Sequence, residues 1–136
     1  LGFYLGYWAG QSLKKYHFFD EVDCIVPIPL HASRLKKRGY NQAECIAEGL
    51  ARGLGKPLMP HGLQKVKSTD SLINLDRSQR FDLLKDSFEV SARFIHEHPL
   101  IVDDTLTTGS TLLAAGEKIK AAGAKGISFF TLAALK

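Results

Sequence analysis

The 136-residue chain has two cysteines, Cys24 and Cys45, and neither belongs to a CxxC pair or to any metal-ligand spacing. Without such a pattern, a structural zinc site and a disulfide framework are both excluded as organising features. The two thiols are expected to be structural, in a reducing compartment. There is no uninterrupted apolar run near the roughly 20 residues that a membrane-spanning helix needs. Internal repeats and low-complexity tracts are also lacking, which excludes solenoids and sequence-encoded disorder. The aromatic N-terminal stretch is interrupted by Gln11, Lys14 and Lys15. It lacks the basic start, apolar run and small-residue cleavage site of a signal peptide. A cytoplasmic location and no membrane partner are therefore expected. Because the chain begins with Leu1, it is expected to be a piece of a longer protein.

At 45% hydrophobic and 24% charged, the composition is that of a globular protein, and its length suits a single domain over 1–136. The net charge of +4 is mild. It suits a phosphorylated ligand and is no argument for nucleic acid by itself.

The apolar pattern alternates between strand and helix. Residues 3–16 read as a helix with Tyr4, Leu5 and Trp8 on one side. Val22–Pro29 contains a buried strand ended by its prolines. Residues 41–54 follow a helical period through Ala43, Ile46, Ala47, Leu50 and Leu54. Asn41 is the N-cap candidate, and Gly55 with Pro57 closes the helix. Leu58–Val66 reads as a second strand. The polar stretch from Ser68 to Leu83 reads as an excursion with a helical turn around Ser78–Leu83. Ser87–Val90 is a short strand. Leu100–Val102 is a buried strand that ends in Asp103. Thr111–Ala122 is a helix ended by Gly123, and Gly126–Leu132 is the last strand. Apolar strands alternating with helices predict a parallel α/β sheet, with ligands beyond the carboxyl ends of the strands. The unusual stretches 29–40 and 103–111 both fall at such ends.

The second of these stretches carries the chemistry. A buried strand delivers Asp103 and Asp104 to its exposed end, a turn rich in Thr and Gly follows, and a helix begins. A helix N-terminus offers free N–H groups and partial positive charge to a phosphate. Gly109 allows close backbone approach, and Thr107, Thr108, Ser110 and Thr111 add hydroxyl donors. The carboxylates repel phosphate and suit hydroxyls, a metal-bound water or a developing positive charge. A phosphate beside a diol describes ribose 5-phosphate.

Leu100–Thr111 resembles the phosphoribosyl pyrophosphate (PRPP) signature of type I phosphoribosyltransferases: apolar residues, two acids, then Thr-Gly-x-Thr. Val26–His31 and the run from Arg34 through Arg38-Gly-Tyr-Asn-Gln-Ala-Glu44 are similar to the competence protein ComF family and its GntX-like relatives, over about residues 3–133. The resemblance implies the type I phosphoribosyltransferase-like fold: a mostly parallel central sheet flanked by helices, with a flexible lid over about 67–83. It implies that Thr107–Thr111 cradle the 5-phosphate and that Asp103 and Asp104 hold the ribose hydroxyls, with Asp104 as catalytic proton acceptor. The loop Leu30–Ser33, including His31, would meet the pyrophosphate with its N–H groups, supported by Arg34 and Arg38 and less directly by Lys36 and Lys37.

Tyr40 and Gln42 would line an acceptor pocket, with Asn41 there or serving only as the helix cap. Lys67, Thr69, Arg77 and Arg80 are the lid candidates. Two lid positions depart from the family pattern: Leu72 stands for Gln, and Asp82 for Asn.

The implied activity is transfer of phosphoribosyl from PRPP to a nitrogen acceptor, with release of pyrophosphate. Mg²⁺ would be held mainly by PRPP oxygens and no metal would be liganded directly by the protein. A non-catalytic PRPP- or nucleotide-binding module in a competence or DNA-uptake protein is the alternative. A third reading, direct binding of single-stranded DNA, rests on Tyr40 beside Lys36–Arg38. A homodimer is compatible with the sequence.

Overall fold

The computed structural model describes residues 1–69, 74–91 and 97–135. Three parallel strands form the centre: β1 (Cys24–Pro27), β4 (Pro99–Leu106) and β5 (Ser128–Ala134), in the order β1-β4-β5. Cys24 pairs with Pro99, and Leu100 with Ser128. The middle strand β4 is buried from Pro99 to Val102 and becomes half-buried at Asp103. An inner strand of this kind must be apolar on both faces. Ile101 joins Cys24 and Val26 in one core, while Leu100 and Val102 join Ile25 in the other.

The second core is closed by α3 (Gln42–Leu54), whose Ile46, Ala47, Leu50 and Leu54 face the sheet. The first is closed by α5 (Ser110–Ala121) and α4 (Arg77–Asp86), together with a small antiparallel pair, β2 (Leu63–Lys65) with β3 (Phe88–Val90). Cys24 is fully buried, and burial together with the Asp23 carboxylate pushes its thiol up to about 12. It is thus an inert packing group, as expected of a structural thiol.

Several expectations are corrected. The helix α1 (Gly2–Lys15) is present as expected, and its Tyr4 and Trp8 stand on the exposed side, each 64% exposed. α1 packs on α3 through Gly6 and Gly10, set against Gly49 and Gly53. A Cβ on Gly10 would lie 2.7 Å from the Leu50 carbonyl oxygen, and one on Gly49 would collide with the carbonyl of Phe3. The helices meet backbone to backbone, so glycine and not the apolar stripe chooses the contact face.

The expected strand over Leu58–Val66 is two pieces. Leu58 bridges Ile25 in parallel at the edge of the main sheet, whereas β2 belongs to the small sheet. A turn at Met59–Gly62 separates them. The helical turn expected around Ser78–Leu83 is the ten-residue α4. It is held at its start by a capping box in which Asp76 accepts from the Gln79 N–H at 2.8 Å and Gln79 returns the bond at 3.1 Å. Positions 70–73 of the excursion, Leu72 among them, lie outside the described residues.

Candidate functional site

The loop after β1 is short. His31 begins α2 (Ala32–Arg38) as its N-cap, with Nδ1 accepting from the Ser33 N–H at 3.3 Å and lying 2.8 Å from the Ser33 hydroxyl. The Arg34 N–H is bonded to the His31 carbonyl. The Ser33 amide and the His31 ring, both expected at a pyrophosphate, are thus bonded to each other at the helix start. Leu30 is half-buried ahead of it.

α2 ends at Gly39, whose φ of 81° is open to glycine at little cost. Asn41 then caps α3, accepting from the Ala43 N–H at 3.1 Å. Its Nδ2 donates to the Ile28 carbonyl at 3.0 Å. Of its two expected roles the structure shows the cap, and adds a clamp on the end of the β1 segment.

At the end of β4 the chain turns through Thr107 and Thr108 into α5. Gly109 is the N-cap, at φ 83°, and so caps no amide with a side chain. Thr108 Oγ1 accepts from the Ser110 N–H at 3.3 Å, and its hydroxyl donates to Ser110 Oγ at 2.9 Å. Thr108, Ser110 and Thr111 line a concavity of about 570 Å³. The same concavity is lined by Arg34 from α2, by Arg77 and Arg80 from α4, and by Lys65 from β2. Residues from four distant parts of the chain thus converge on one cationic, hydroxyl-lined recess. It lies where ligands of parallel sheets are held.

Lys65 escaped the sequence reading. Its Nζ donates to Thr69 Oγ1 at 2.8 Å and sits 5.4 Å from the centre of the Phe88 ring. The signal was present in the alternation of β2. Leu63 is buried, Gln64 is exposed, and Lys65 returns to the side of Leu63. A lysine on the inward side of a strand is rarely there for solubility.

The carboxylate pair differs in environment. The Asp104 N–H donates to Asp103 Oδ1 at 2.9 Å. Burial pushes the Asp103 carboxyl up to about 7, opposed by that hydrogen bond, reinforced by the Asp104 carboxylate and opposed again by Lys65. Asp103 therefore sits within the field of a lysine that lines the concavity.

Other expected site residues fall elsewhere. Thr107 stands exposed at the turn and does not line the concavity. Tyr40 is 56% exposed and Lys67 is exposed, and neither lines it. The Gln42 amide lies beside Gly2 of α1, 3.8 Å from where a Cβ would stand. Arg38 lines a separate recess with Ser33, Arg34 and Lys37. Asp82 is exposed on α4 and lies outside the lining, so its charge does not face the recess. Among the described residues no three His, Cys, Asp or Glu side chains come together as a metal cage. None of the described helices is long and apolar enough to cross a membrane.

Asp103 and Asp104 stand in β4 outside the lining of the recess, and the hydroxyl-rich turn that follows them enters it. A parallel sheet with two acids in its central strand and such a turn beside a cationic recess defines a class. The phosphoribosyl transferase domain family matches residues 41–135, and the chain belongs to it. Its resemblance to the ComF group is borne out by its relatives. Competence protein F of Haemophilus influenzae is 32% identical over 130 residues, covering 93% of this chain and 57% of that protein. Competence protein ComFC of Streptococcus pneumoniae is 30% identical over 125 residues, covering 92% and 52%. DNA utilization protein YhgH of Salmonella typhi is 31% identical over 110 residues, covering 81% and 48%. The chain spans about half the length of the curated relatives it matches.

Proposed function

We propose that this chain binds PRPP in the recess at the end of β4 and transfers its phosphoribosyl group to a nitrogen acceptor. One observation carries the reading: the hydroxyls of Thr108, Ser110 and Thr111 line the same concavity as Arg34, Lys65, Arg77 and Arg80. The hydroxyls and the amides at the start of α5 suit the 5-phosphate. The four cations suit the diphosphate and stabilise it as it leaves. Asp103 and Asp104 accept from the ribose hydroxyls.

In the transfer, the bond from C1 to the diphosphate oxygen breaks and its electron pair leaves with that oxygen. The acceptor nitrogen forms the new bond to C1 with its lone pair and gives up a proton, which Asp104 receives. Mg²⁺, which prefers oxygen ligands and dehydrates reluctantly, would be held mainly by PRPP oxygens. The ion would neutralise diphosphate charge. A reaction on PRPP belongs in the cytoplasm.

The Asp104→Asn variant tests the catalytic part. It should keep PRPP affinity and lose turnover, and normal turnover would remove Asp104 from the role. Binding is tested by thermal unfolding with PRPP and Mg²⁺. At about 100 times its dissociation constant, PRPP should add roughly 2.7 kcal/mol of stability. No shift with PRPP, ribose 5-phosphate or any nucleoside monophosphate would overturn the reading.

A second reading has its own support, since the relatives are named for competence and DNA utilization. There the recess holds PRPP or a nucleotide as a signal. PRPP binding without turnover across bases and amines would favour it.

A further inference from the structure

We propose that the recess formed by Ser33, Arg34, Lys37 and Arg38 on α2 is a second anion subsite, which receives a phosphate carried by the acceptor and not by PRPP. The inference rests on the PRPP reading above and names the class of acceptor: a nitrogen compound that bears a phosphomonoester.

α2 contributes nothing to the core. None of its residues is buried, and Leu35, its one large apolar side chain, is 42% exposed. Its sequence Ala-Ser-Arg-Leu-Lys-Lys-Arg holds four cations and no acid. Arg34, Lys37 and Arg38 stand at i, i+3 and i+4, hence on one face, where like charges repel. The negative end of the helix dipole favours basic residues in the last turn. It does not account for the cavity of about 470 Å³ that three of them line with Ser33. Among the described residues, that lining has no aromatic ring to stack a base and no carboxylate to bind an amine. Guanidinium forks and an ammonium around a concave space are chemistry for phosphate.

Charge accounting separates this recess from the donor site. In the larger concavity, hydroxyls serve the 5-phosphate, and Arg34, Lys65, Arg77 and Arg80 serve the diphosphate. Lys37 and Arg38 do not line it. They are surplus to PRPP. Arg34 lines both spaces, so an anion in the second recess would sit one guanidinium away from the donor diphosphate. A phosphorylated acceptor anchored there has its remaining atoms beside the donor, which raises their effective concentration.

The experiment titrates inorganic phosphate, then phosphoethanolamine and ethanolamine, into the PRPP- and Mg²⁺-saturated protein. Binding is followed by calorimetry and by the NMR signals of the arginine and lysine side chains. Phosphate and phosphoethanolamine should bind, and ethanolamine should not. The Lys37→Gln/Arg38→Gln double variant should weaken phosphate binding by about tenfold or more and leave PRPP affinity within about twofold. Since α2 has no buried residue, the variant should unfold at the temperature of the parent.

Three outcomes overturn the proposal. A fall of PRPP affinity together with phosphate affinity returns the recess to the donor. Absence of phosphate binding to the PRPP-saturated protein removes the subsite. Binding of a single-stranded oligonucleotide that weakens in the variant, while phosphate does neither, makes α2 a polyanion surface. If PRPP itself fails to bind but phosphate still shifts Lys37 and Arg38, the PRPP reading falls and the anion subsite stands.

Discussion

The Asp104 N–H donates to Oδ1 of Asp103 at 2.9 Å, which ties the two acids within β4 into one local unit. Despite that bond, Asp103 holds its proton up to about pH 7, because burial outweighs the hydrogen bond and Lys65. The ordinary carboxyl value is 3.8.

The sign of the resulting pH dependence follows from linkage. Between about pH 4 and pH 7 the folded chain keeps a proton at Asp103 that the unfolded chain releases, so stability falls as pH rises through that window. Above pH 7 the loss is complete. Asp103 is only half-buried, so screening trims the effect to about 1–2 kcal/mol. In urea titrations from pH 4 to pH 8, Asp103→Asn should remove this slope. An unchanged slope in the variant would show that other groups cause it.

Asn41 makes two bonds with one side chain, to the Ala43 N–H and the Ile28 carbonyl. Asn41→Ala should cost about 1–2 kcal/mol, the sum of a lost cap and an unmet carbonyl. Asn41→Asp keeps the cap acceptor but cannot donate to Ile28, and should unfold between alanine and wild type. Both variants should bind PRPP normally at low temperature. A binding defect without a stability defect would return Asn41 to the acceptor pocket.

Gly49→Ala sets two effects against each other. Alanine in a helix interior gains about 1 kcal/mol over glycine. Its Cβ, however, would run into the Phe3 carbonyl, which is backbone and cannot turn aside. Overpacking of this kind costs about 1–3 kcal/mol, and a clash with backbone falls in the upper part of that range, so the variant should be destabilised by net about 1–2 kcal/mol. Glu48→Ala, exposed on the same helix, is the control and should change stability little. If Gly49→Ala is as stable as the parent, α1 does not pack on α3 as closely as described.

These positions mark what a sequence discloses and what it hides. The apolar periods of β1, β4, α3 and α5, with Asn41 and Gly55 as punctuation, place the sheet and its flanking helices before any coordinate is seen. The turn from Asp103 to Thr111 was equally plain, because acids, hydroxyls and glycine sit next to one another in the chain. The α1 contact was hidden, since glycine carries no hydrophobic signal and the apolar Tyr4 and Trp8 point outward. α4 was under-read because Leu84 is its one buried residue, although its capping pair Asp76 and Gln79 stood in the sequence. Of the four cations of the recess, the sequence shows all but Lys65. The resemblance implies Arg34 at the pyrophosphate and Arg77 and Arg80 in the lid, but the entry of Lys65 among them is a property of the tertiary fold.

Lys65 is the residue on which that meeting can be tested. It lines the recess, donates to Thr69 and lowers the proton affinity of Asp103. Lys65→Met keeps much of the side-chain length and its contact with Phe88 while removing the charge. Two consequences should appear together. Asp103, without the cation that opposes its protonation, should titrate above its wild-type value when its carboxyl carbon is followed by NMR. PRPP should bind more weakly, by about tenfold, as one charged contact to a diphosphate is lost. Ribose 5-phosphate, which lacks the diphosphate, should lose far less. Equal losses for the two ligands would mean that Lys65 serves the fold or the ribose end. An unmoved Asp103 would mean that the two groups do not share a field.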